Sequence, residues 1–373
     1  MIPRIQKEAL IAKIKAHKLL LISGPRSAGK TTLIETIAAE QHWACNVIHC
    51  GDKNVRKALE SSLSKLDQNA QIIVLHEAQY LSNLQDILEQ ALMNDQWPTL
   101  LACCSFQPKI DEMLLEALKI EGLEVTVYAP SFYESAQHFG LPEEERLLEE
   151  RLIFGSYPDV LANLEQAEQT LRGLVQEVLS THLGASDRIN KKDKMMRVLQ
   201  LLAFHIGDAV SYNDIAERAG VDNETVERYV ELLEQAHVLI QLPSYHTGQR
   251  YELKKSHAIY FVDNGIRNAL ISNFNPTFLR NDMDVLWRNY LVSERVKWAR
   301  MQGVEKAFFF WKTHTKQQMD FVEVANGELT AYKTDWEKRK KVKIPHAFTS
   351  AYPNAKTGIL NRSTYWSFLT KKK

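Results

Sequence analysis

Four apolar residues, Leu19 to Ile22, break into Ser23-Gly24-Pro25-Arg26-Ser27-Ala28-Gly29-Lys30-Thr31-Thr32, and apolar residues return at helical spacing through Leu33, Ile34 and Ile37. This stretch leaves the chain little choice. It asks for a buried strand, a glycine-bounded loop and a helix in immediate succession, and Gly24 to Thr31 satisfies G-x-x-x-x-G-K-[ST]. Gly24 and Gly29 admit backbone conformations that side chains block, so the loop Gly24, Pro25, Arg26, Ser27, Ala28, Gly29 can turn its N–H groups inward on phosphate oxygens. The helix entered at Lys30, Thr31 and Thr32 adds the positive end of its dipole. Lys30 is placed to neutralise β- and γ-phosphates, and the Thr31 hydroxyl to ligate Mg²⁺. The pattern is that of a site for ATP or ADP with Mg²⁺.

The segments around it supply the rest of one sheet. Ala44 to Cys50, Gln71 to Leu75, Leu100 to Ser105 and Glu124 to Tyr128 each read as a strand, giving roughly five. Helical spacing separates them, as in residues 5–17 and in 54–68 with Val55, Leu59, Leu63 and Leu66. Fully apolar strands between helices imply a parallel sheet covered on both faces, an α/β fold. The strand after Gln71 ends in His76-Glu77-Ala78-Gln79. In P-loop ATPases that strand ends in Asp-Glu, where the Asp holds Mg²⁺ through its shell and the Glu orients the attacking water. Glu77 keeps the second role and is the candidate catalytic residue. The strand that ends at Ser105 places a hydroxyl where a phosphate is sensed.

A chain of 373 residues, 45% of them hydrophobic, has material for about two to three domains. Lys+Arg and Asp+Glu both number 46, so overall charge points to no acidic or basic partner. Cys45, Cys50, Cys103 and Cys104 form no C-x-x-C pair, which fits reduced thiols in a cytoplasmic protein. No signal-peptide core opens the sequence, and no apolar run reaches the ~18 residues of a spanning helix, so no membrane partner is expected.

The chain resembles the prokaryotic AAA-type ATPases that carry a C-terminal domain of unknown function, a winged helix followed by a restriction-endonuclease-like fold. The marks are Ile2-Pro3-Arg4, the Gly24–Thr32 loop, Glu77-Ala78-Gln79, Pro130-Ser131-Phe132-Tyr133-Glu134, Phe154-Gly155-Ser156-Tyr157-Pro158-Asp159-Val160, Phe261-Val262-Asp263-Asn264-Gly265-Ile266 and Met319-Asp320-Phe321-Val322. Two departures stand out. The family's Asp-Glu-Ala-Gln is His76-Glu77-Ala78-Gln79, and its Gly-Arg before the Pro-Ser-Phe motif is absent from Ala117-Leu118-Lys119-Ile120-Glu121-Gly122. Imidazole is a poor Mg²⁺ ligand, and loss of an arginine finger costs about 10³–10⁵ in rate. The expectation is nucleotide binding with slow hydrolysis.

The resemblance divides the chain into an AAA-like ATPase core (1–140), a helical connector or lid (141–190), a winged helix (191–270) and a degenerate nuclease-like α/β domain (271–373). The charged run 141–151 reads as a solvated helix face. Ser211 to Ala219, the Gly220-Val221-Asp222 turn and Asn223 to Ala236 make a helix-turn-helix, with 237–242 and 257–262 as wing strands. The second helix offers Glu224, Glu227, Glu231 and Glu234, which face phosphates badly and favour a protein partner over base reading. Lys254 and Lys255 are its basic wing residues.

A restriction-type nuclease gathers Mg²⁺ on a helix Glu, a strand Asp and a Glu-x-Lys; laid onto this sequence those positions are Arg288, Asp320, Lys333 and Asp335, so no cleavage is expected. From 330 to 373, eleven Lys/Arg face two Asp/Glu, including the 338–343 run Lys338-Arg339-Lys340-Lys341-Val342-Lys343, interleaved with Trp336, Tyr352, Tyr365 and Trp366. That pattern suits a nucleic-acid backbone or a plain solvated surface. The function these observations imply is a slow ATPase acting as a nucleotide-dependent switch, with DNA as a candidate partner, or else a nucleotide-binding scaffold without turnover. Either can oligomerise.

Overall fold

The computed structural model describes residues 2–61, 69–94, 96–181, 188–246, 256–304, 306–337 and 342–370. The chain divides into two compact units, Met1–Pro130 with Gln235–His237, and Ser131–Glu234 with Val238–Lys373.

The first unit alternates helix and strand: α1 (Lys7–Ala16), β1 (Leu19–Ser23), α2 (Lys30–Glu40), β2 (Cys45–His49), α3 (Lys53–Ser61), β3 (Ile72–His76), α4 (Leu84–Met93), β4 (Thr99–Cys103), α5 (Glu112–Ile120) and β5 (Glu124–Thr126). The five strands form one parallel sheet in the order β2-β3-β4-β1-β5. Every residue of β1 is buried, as its unbroken apolar run requires of a strand covered on both faces. Burying Leu19, Leu20, Leu21 and Ile22 contributes about 1.5–3 kcal/mol each. The sheet order puts the C-terminal ends of β1, β3 and β4 side by side, so Gly24, His76 and Ser105 leave the sheet at one edge. Leu63 and Leu66 of the expected 54–68 helix lie outside the described residues. All four cysteines are free thiols, Cys50, Cys103 and Cys104 buried.

The second unit begins with α6 (Phe132–Phe139), α7 (Leu141–Arg146), α8 (Leu148–Phe154), α9 (Pro158–Ala162), α10 (Ala167–Thr181) and α11 (Arg188–Phe204). The motif residues Ser131 and Glu134 turn out to be a reciprocal cap: the Ser131 hydroxyl accepts from the Glu134 N–H, and the Glu134 carboxylate accepts from the Ser131 N–H at 2.9 Å. The 141–151 run is a solvated face only in part: Glu145 and Arg146 are exposed. Arg151 and Glu144 form a buried ion pair at 2.8 Å, with Leu148 and Leu152 also inward, because the inner side of two short consecutive helices needs both apolar residues and a neutralised pair. Pro158 occupies the first turn of the short helix α9.

Next come β6 (Ala209–Val210), α12 (Tyr212–Ala219), α13 (Asn223–Gln235), β7 (Leu239–Pro243) and β8 (His257–Phe261), the strands forming an antiparallel sheet ordered β6-β8-β7. Ser211 caps α12, and Gly220 ends it in the left-handed conformation. Glu234 is not presented outward with the other glutamates: it accepts from the Gln241 side chain at 2.6 Å. Lys254 and Lys255 lie outside the described residues.

Helix α14 (Asn264–Leu270) follows, then α15 (Met283–Met301), β9 (Ala307–Lys312), β10 (Gln318–Ala325), β11 (Glu328–Thr334), α16 (His346–Ala351), β12 (Lys356–Leu360) and α17 (Tyr365–Thr370). The sheet runs β12-β11-β10-β9, antiparallel except for the parallel β11–β12 pair. Asn326 (φ 51°) and Gly327 (φ 76°) give the β10–β11 hairpin the two positive-φ residues its tight turn needs. Asp263 caps α14 through the Gly265 and Ile266 N–H groups and also accepts from the Ser156 N–H at 2.8 Å. A Cβ on Gly155 would stand 1.9 Å from the Asp263 carboxylate, so the Phe154–Val160 and Phe261–Ile266 motifs are two halves of one contact. The aromatics expected to interleave with the basic run are mostly core: Trp336, Tyr352 and Tyr365 are buried, and Trp366 alone of the four is exposed. Lys338 to Lys341 and Lys371 to Lys373 lie outside the described residues.

Candidate functional site

The loop between β1 and α2 has the backbone its glycines foretell. Gly24 (φ 142°), Ser27 (φ 57°) and Gly29 (φ 89°) all lie on the left-handed side. At Gly24 a Cβ would fall 1.9 Å from the Val127 carbonyl oxygen, so no other residue fits. Arg4 closes the loop from behind, donating to the Ala28 carbonyl at 3.2 Å and to the Tyr128 carbonyl. Lys30 is buried at the base of the loop and donates to the Gly24 and Pro25 carbonyls, each at 2.9 Å, and to Ser105 Oγ at 3.0 Å. Burial pulls its ammonium below the ordinary lysine value, against the attraction of Glu77. A cradle of turned backbone with a partly desolvated cation at its floor fits a polyphosphate, since anionic oxygens return the electrostatic partner that burial removed.

The acidic side of the site is built from β3 and β4. Glu77, itself in the left-handed conformation (φ 58°), is buried, and both its oxygens are engaged. Ser105 Oγ donates to Oε1 at 2.6 Å and Gln79 Nε2 donates to Oε2 at 2.5 Å, while the Ser105 N–H donates to Gln79 Oε1 at 3.2 Å. Lys30, Ser105, Glu77 and Gln79 are therefore one connected network.

The residues offered to Mg²⁺ fit it poorly. Thr31 Oγ1 lies 2.7 Å from His76 Nδ1, so the hydroxyl meant for the cation faces an imidazole. Burial lowers the pKa of His76, outweighing the pull of Glu77, which keeps the ring neutral. Hard cations take oxygen ligands, and both Glu77 oxygens already have partners.

The site therefore brings together the whole Gly24–Thr32 loop, Glu77 and Ser105, as the spacing of motifs predicts. Sequence reasoning missed the structural parts of Gln79 and Arg4, present there only as marks of a resemblance. Gln79 carries a local signal, two residues past the acid it holds; Arg4 carries none, because only the fold brings residue 4 to residue 28.

A second polar site lies in the other unit. Arg288, Asp320, Lys333 and Asp335 do converge, lining a cleft of about 370 Å³ with Asp284 and Glu337. Asp320 accepts from Lys333 Nζ at 3.0 Å, Gln318 Nε2 at 2.9 Å and the Thr334 N–H at 2.7 Å, with Arg288 at 3.7 Å. Burial alone would raise its pKa, but Lys333 and Arg288 outweigh it and hold the carboxyl below the usual range. Among the described residues, no group of three His, Cys, Asp or Glu can hold a metal ion.

Loop, relay and parallel sheet together define a P-loop ATPase domain of the AAA type. A family model described as an AAA domain matches residues 16–136, and one described as a domain of unknown function (DUF8612) matches residues 145–277. An uncharacterized protein of Haemophilus influenzae is 24% identical over 159 residues, a match that spans 40% of each chain. A Walker-type ATPase of Pyrococcus abyssi is similar at 15% identity, with 73% of this chain and 96% of that one covered and a TM-score of 0.49. The Holliday junction branch migration motor RuvB of Thermotoga maritima is similar at 18% identity over 64% of this chain and 88% of its own, with a TM-score of 0.33. Among the described residues no helix is long and apolar enough to cross a membrane.

Proposed function

We propose that the Gly24–Thr31 loop binds ATP and ADP and that the protein hydrolyses ATP slowly, as a nucleotide-dependent switch. The relay Lys30–Ser105–Glu77 carries this reading. The Ser105 hydroxyl is shared between the lysine that meets the γ-phosphate and the acid that meets the water. A γ-phosphate engaging Lys30 and Ser105 competes for that hydroxyl, so Glu77 loses one of its two side-chain partners and turns to a water instead. The water adds to the γ-phosphorus as the bond to the bridging oxygen breaks, its proton leaving through Glu77, to give ADP and phosphate. After phosphate leaves, Ser105 and Gln79 recapture the acid. Presence or absence of the γ-phosphate is thus written into the partners of one side chain. Mg²⁺, when bound with the nucleotide, would supply charge neutralisation, and the protein group offered to it, the Thr31 hydroxyl, would first have to leave His76.

Phosphate release from wild type should run well below the ~1 s⁻¹ floor of ordinary enzymes, and Glu77→Gln should abolish it. Rapid turnover that survives Glu77→Gln would overturn the proposal. The Thr31–His76 contact favours a second reading, a scaffold that binds nucleotide without turnover; wild type would then yield no ADP at all.

In the second unit, α12, α13 and the β6-β8-β7 sheet support a winged helix. Burial first, and then Glu227, Glu234 and Glu231, push Tyr212 up to about 12; the exposed Glu224, Glu227 and Glu231 of α13 suit a basic protein partner better than DNA. The elements α15 to β12 support a nuclease-like fold in which Lys333 and Arg288 have replaced the metal. Incubation of plasmid DNA with divalent cations should leave it intact. The 338–343 run, of which 338–341 lie outside the described residues, is the proposed route to nucleic acid.

A further inference from the structure

The edge of the sheet that carries the P-loop holds a second group of side chains, outside the Lys30–Ser105–Glu77 relay. Three successive strand-to-helix connections contribute to it, because a parallel sheet brings the C-terminal ends of its strands to one edge, where ligands bind in folds of this class. Arg56, in α3 after β2, donates from Nη1 to the Cys50 and Gly51 carbonyls at 3.0 and 2.9 Å, and its guanidinium stands 5.6 Å from the centre of the Tyr80 ring. Tyr80, after β3, meets Phe106, after β4, at 6.0 Å with the ring planes 79° apart. Both rings are half-buried. Exposed lysines stand at both ends of this ladder: Lys53 and Lys57 on one side of α3, and Lys109 in the loop after Phe106. The carboxylates nearest to them in sequence are occupied. Asp52 accepts from the Asn54 N–H at 2.6 Å, Glu60 from Ser82 Oγ at 2.8 Å and Asp111 from the Met113 N–H at 2.7 Å. Half-buried rings flanked by cations suit one ligand chemistry, flat bases on a polyanionic backbone.

We propose that this face binds a single-stranded nucleic acid, with bases packed against Tyr80 and Phe106 and phosphates on Lys53, Lys57 and Lys109. A duplex keeps its bases stacked inside and offers no face to a ring, so the single strand is favoured. Arg56 is the positioning residue: tied to two carbonyls, it fixes Tyr80, which then loses little freedom when a base arrives. The site is separate from the 338–343 run and from the nucleotide loop, yet the chain itself joins it to the relay. The Tyr80 N–H donates to the Glu77 carbonyl at 3.2 Å, and Phe106 directly follows Ser105. A strand that shifts either ring therefore shifts the acid or the hydroxyl that holds it, and phosphate release should quicken. That consequence rests on the nucleotide reading above; strand binding does not.

The test is fluorescence anisotropy of labelled oligo-dT and oligo-U with the full chain, without nucleotide, across a salt series. Both strands should bind, and a duplex of equal length should bind more weakly. Tyr80→Ala should weaken the strand about tenfold, the loss of one stacked base, and Tyr80→Phe, which keeps the ring, should bind as wild type does. Replacing Lys53, Lys57 and Lys109 together with Gln should lower the slope of log K against log salt by about 2, at about 0.7 per phosphate on a single strand. No strand binding by wild type, or binding that neither Tyr80→Ala nor the triple lysine variant changes, would overturn the inference. So would a duplex bound as tightly as the strand, or an acidic peptide that binds equally well, since these need the charges alone. Strand binding that leaves phosphate release unchanged would overturn the link to the relay. Strand binding by a protein that takes up no ATP would instead sink the nucleotide reading and leave this site standing.

Discussion

Glu77 and Asp320 are both buried carboxylates, yet they are held in opposite ways. Glu77 is held by neutral donors, Ser105 and Gln79, and Ser105 is also bound to Lys30. Asp320 is held by cations, Lys333 at 3.0 Å and Arg288 at 3.7 Å. A neutral hydrogen bond contributes about 0.5–1.5 kcal/mol and exchanges readily when a ligand offers a replacement. A buried ion pair cannot be opened without stranding a charge. The first arrangement therefore remains usable for chemistry, and the second has become architecture. In the first unit the carboxylate keeps partners that a ligand can displace; in the second, Lys333 and Arg288 make Asp320 a strut between β10 and β11.

That contrast can be broken most sharply at Asp320. Asp320→Ala strands Lys333 and Arg288 and should destabilise the chain by about 3–5 kcal/mol, the cost of removing one partner of a buried pair. Urea unfolding of the full chain measures it. An unchanged midpoint would mean that Asp320 is not a strut. The corresponding change in the other unit acts on ligand rather than on stability. Lys30→Ala should weaken ATP binding by about 2–4 kcal/mol, as expected for a well-buried charge contact, with calorimetry as the measurement. If affinity holds, the loop is not the phosphate site.

A smaller effect separates the units by pH. The folded pKa of His76 lies below its unfolded value, so the unfolded chain binds the extra proton. Stability contributed by the neutral ring is present above about pH 6.5 and is lost as pH falls through that value toward the folded pKa. The melting temperature of wild type should fall relative to His76→Asn between about pH 7 and about pH 5. Curves that stay parallel would show that His76 titrates as it does in the unfolded chain. The smallest expected effect belongs to the basic run: replacing Lys338, Arg339, Lys340 and Lys341 with Gln should flatten the salt dependence of any nucleic-acid binding and leave ATP affinity untouched. Binding that never depended on salt would leave the run as plain surface.

Residues 19–38 and the four other apolar runs determined a parallel sheet with a phosphate loop at its edge, because unbroken apolar strands need covering on both faces and because the conformation at Gly24 excludes a side chain. The helix-turn-helix at 211–236 and the Asn326-Gly327 hairpin were legible for the same local reason: capping and positive φ leave their mark within a few residues. Charge was less legible. Sequence alone reads Glu144, Arg151, Trp336 and Tyr365 by their type, and the fold buries all four, since burial depends on which face of an element meets a neighbour far away in the chain. Only the tertiary structure joined Arg4 to Ala28, Ser156 to Asp263 and Phe132 to Glu294, turning short motifs into contacts across 24, 107 and 162 residues. It also decided how each buried carboxylate is held. His76, Arg288 and Lys333 are written in the sequence, but whether the carboxylate near them is held by exchangeable hydrogen bonds or by fixed charge depends on distances of about 3 Å that only a folded chain sets.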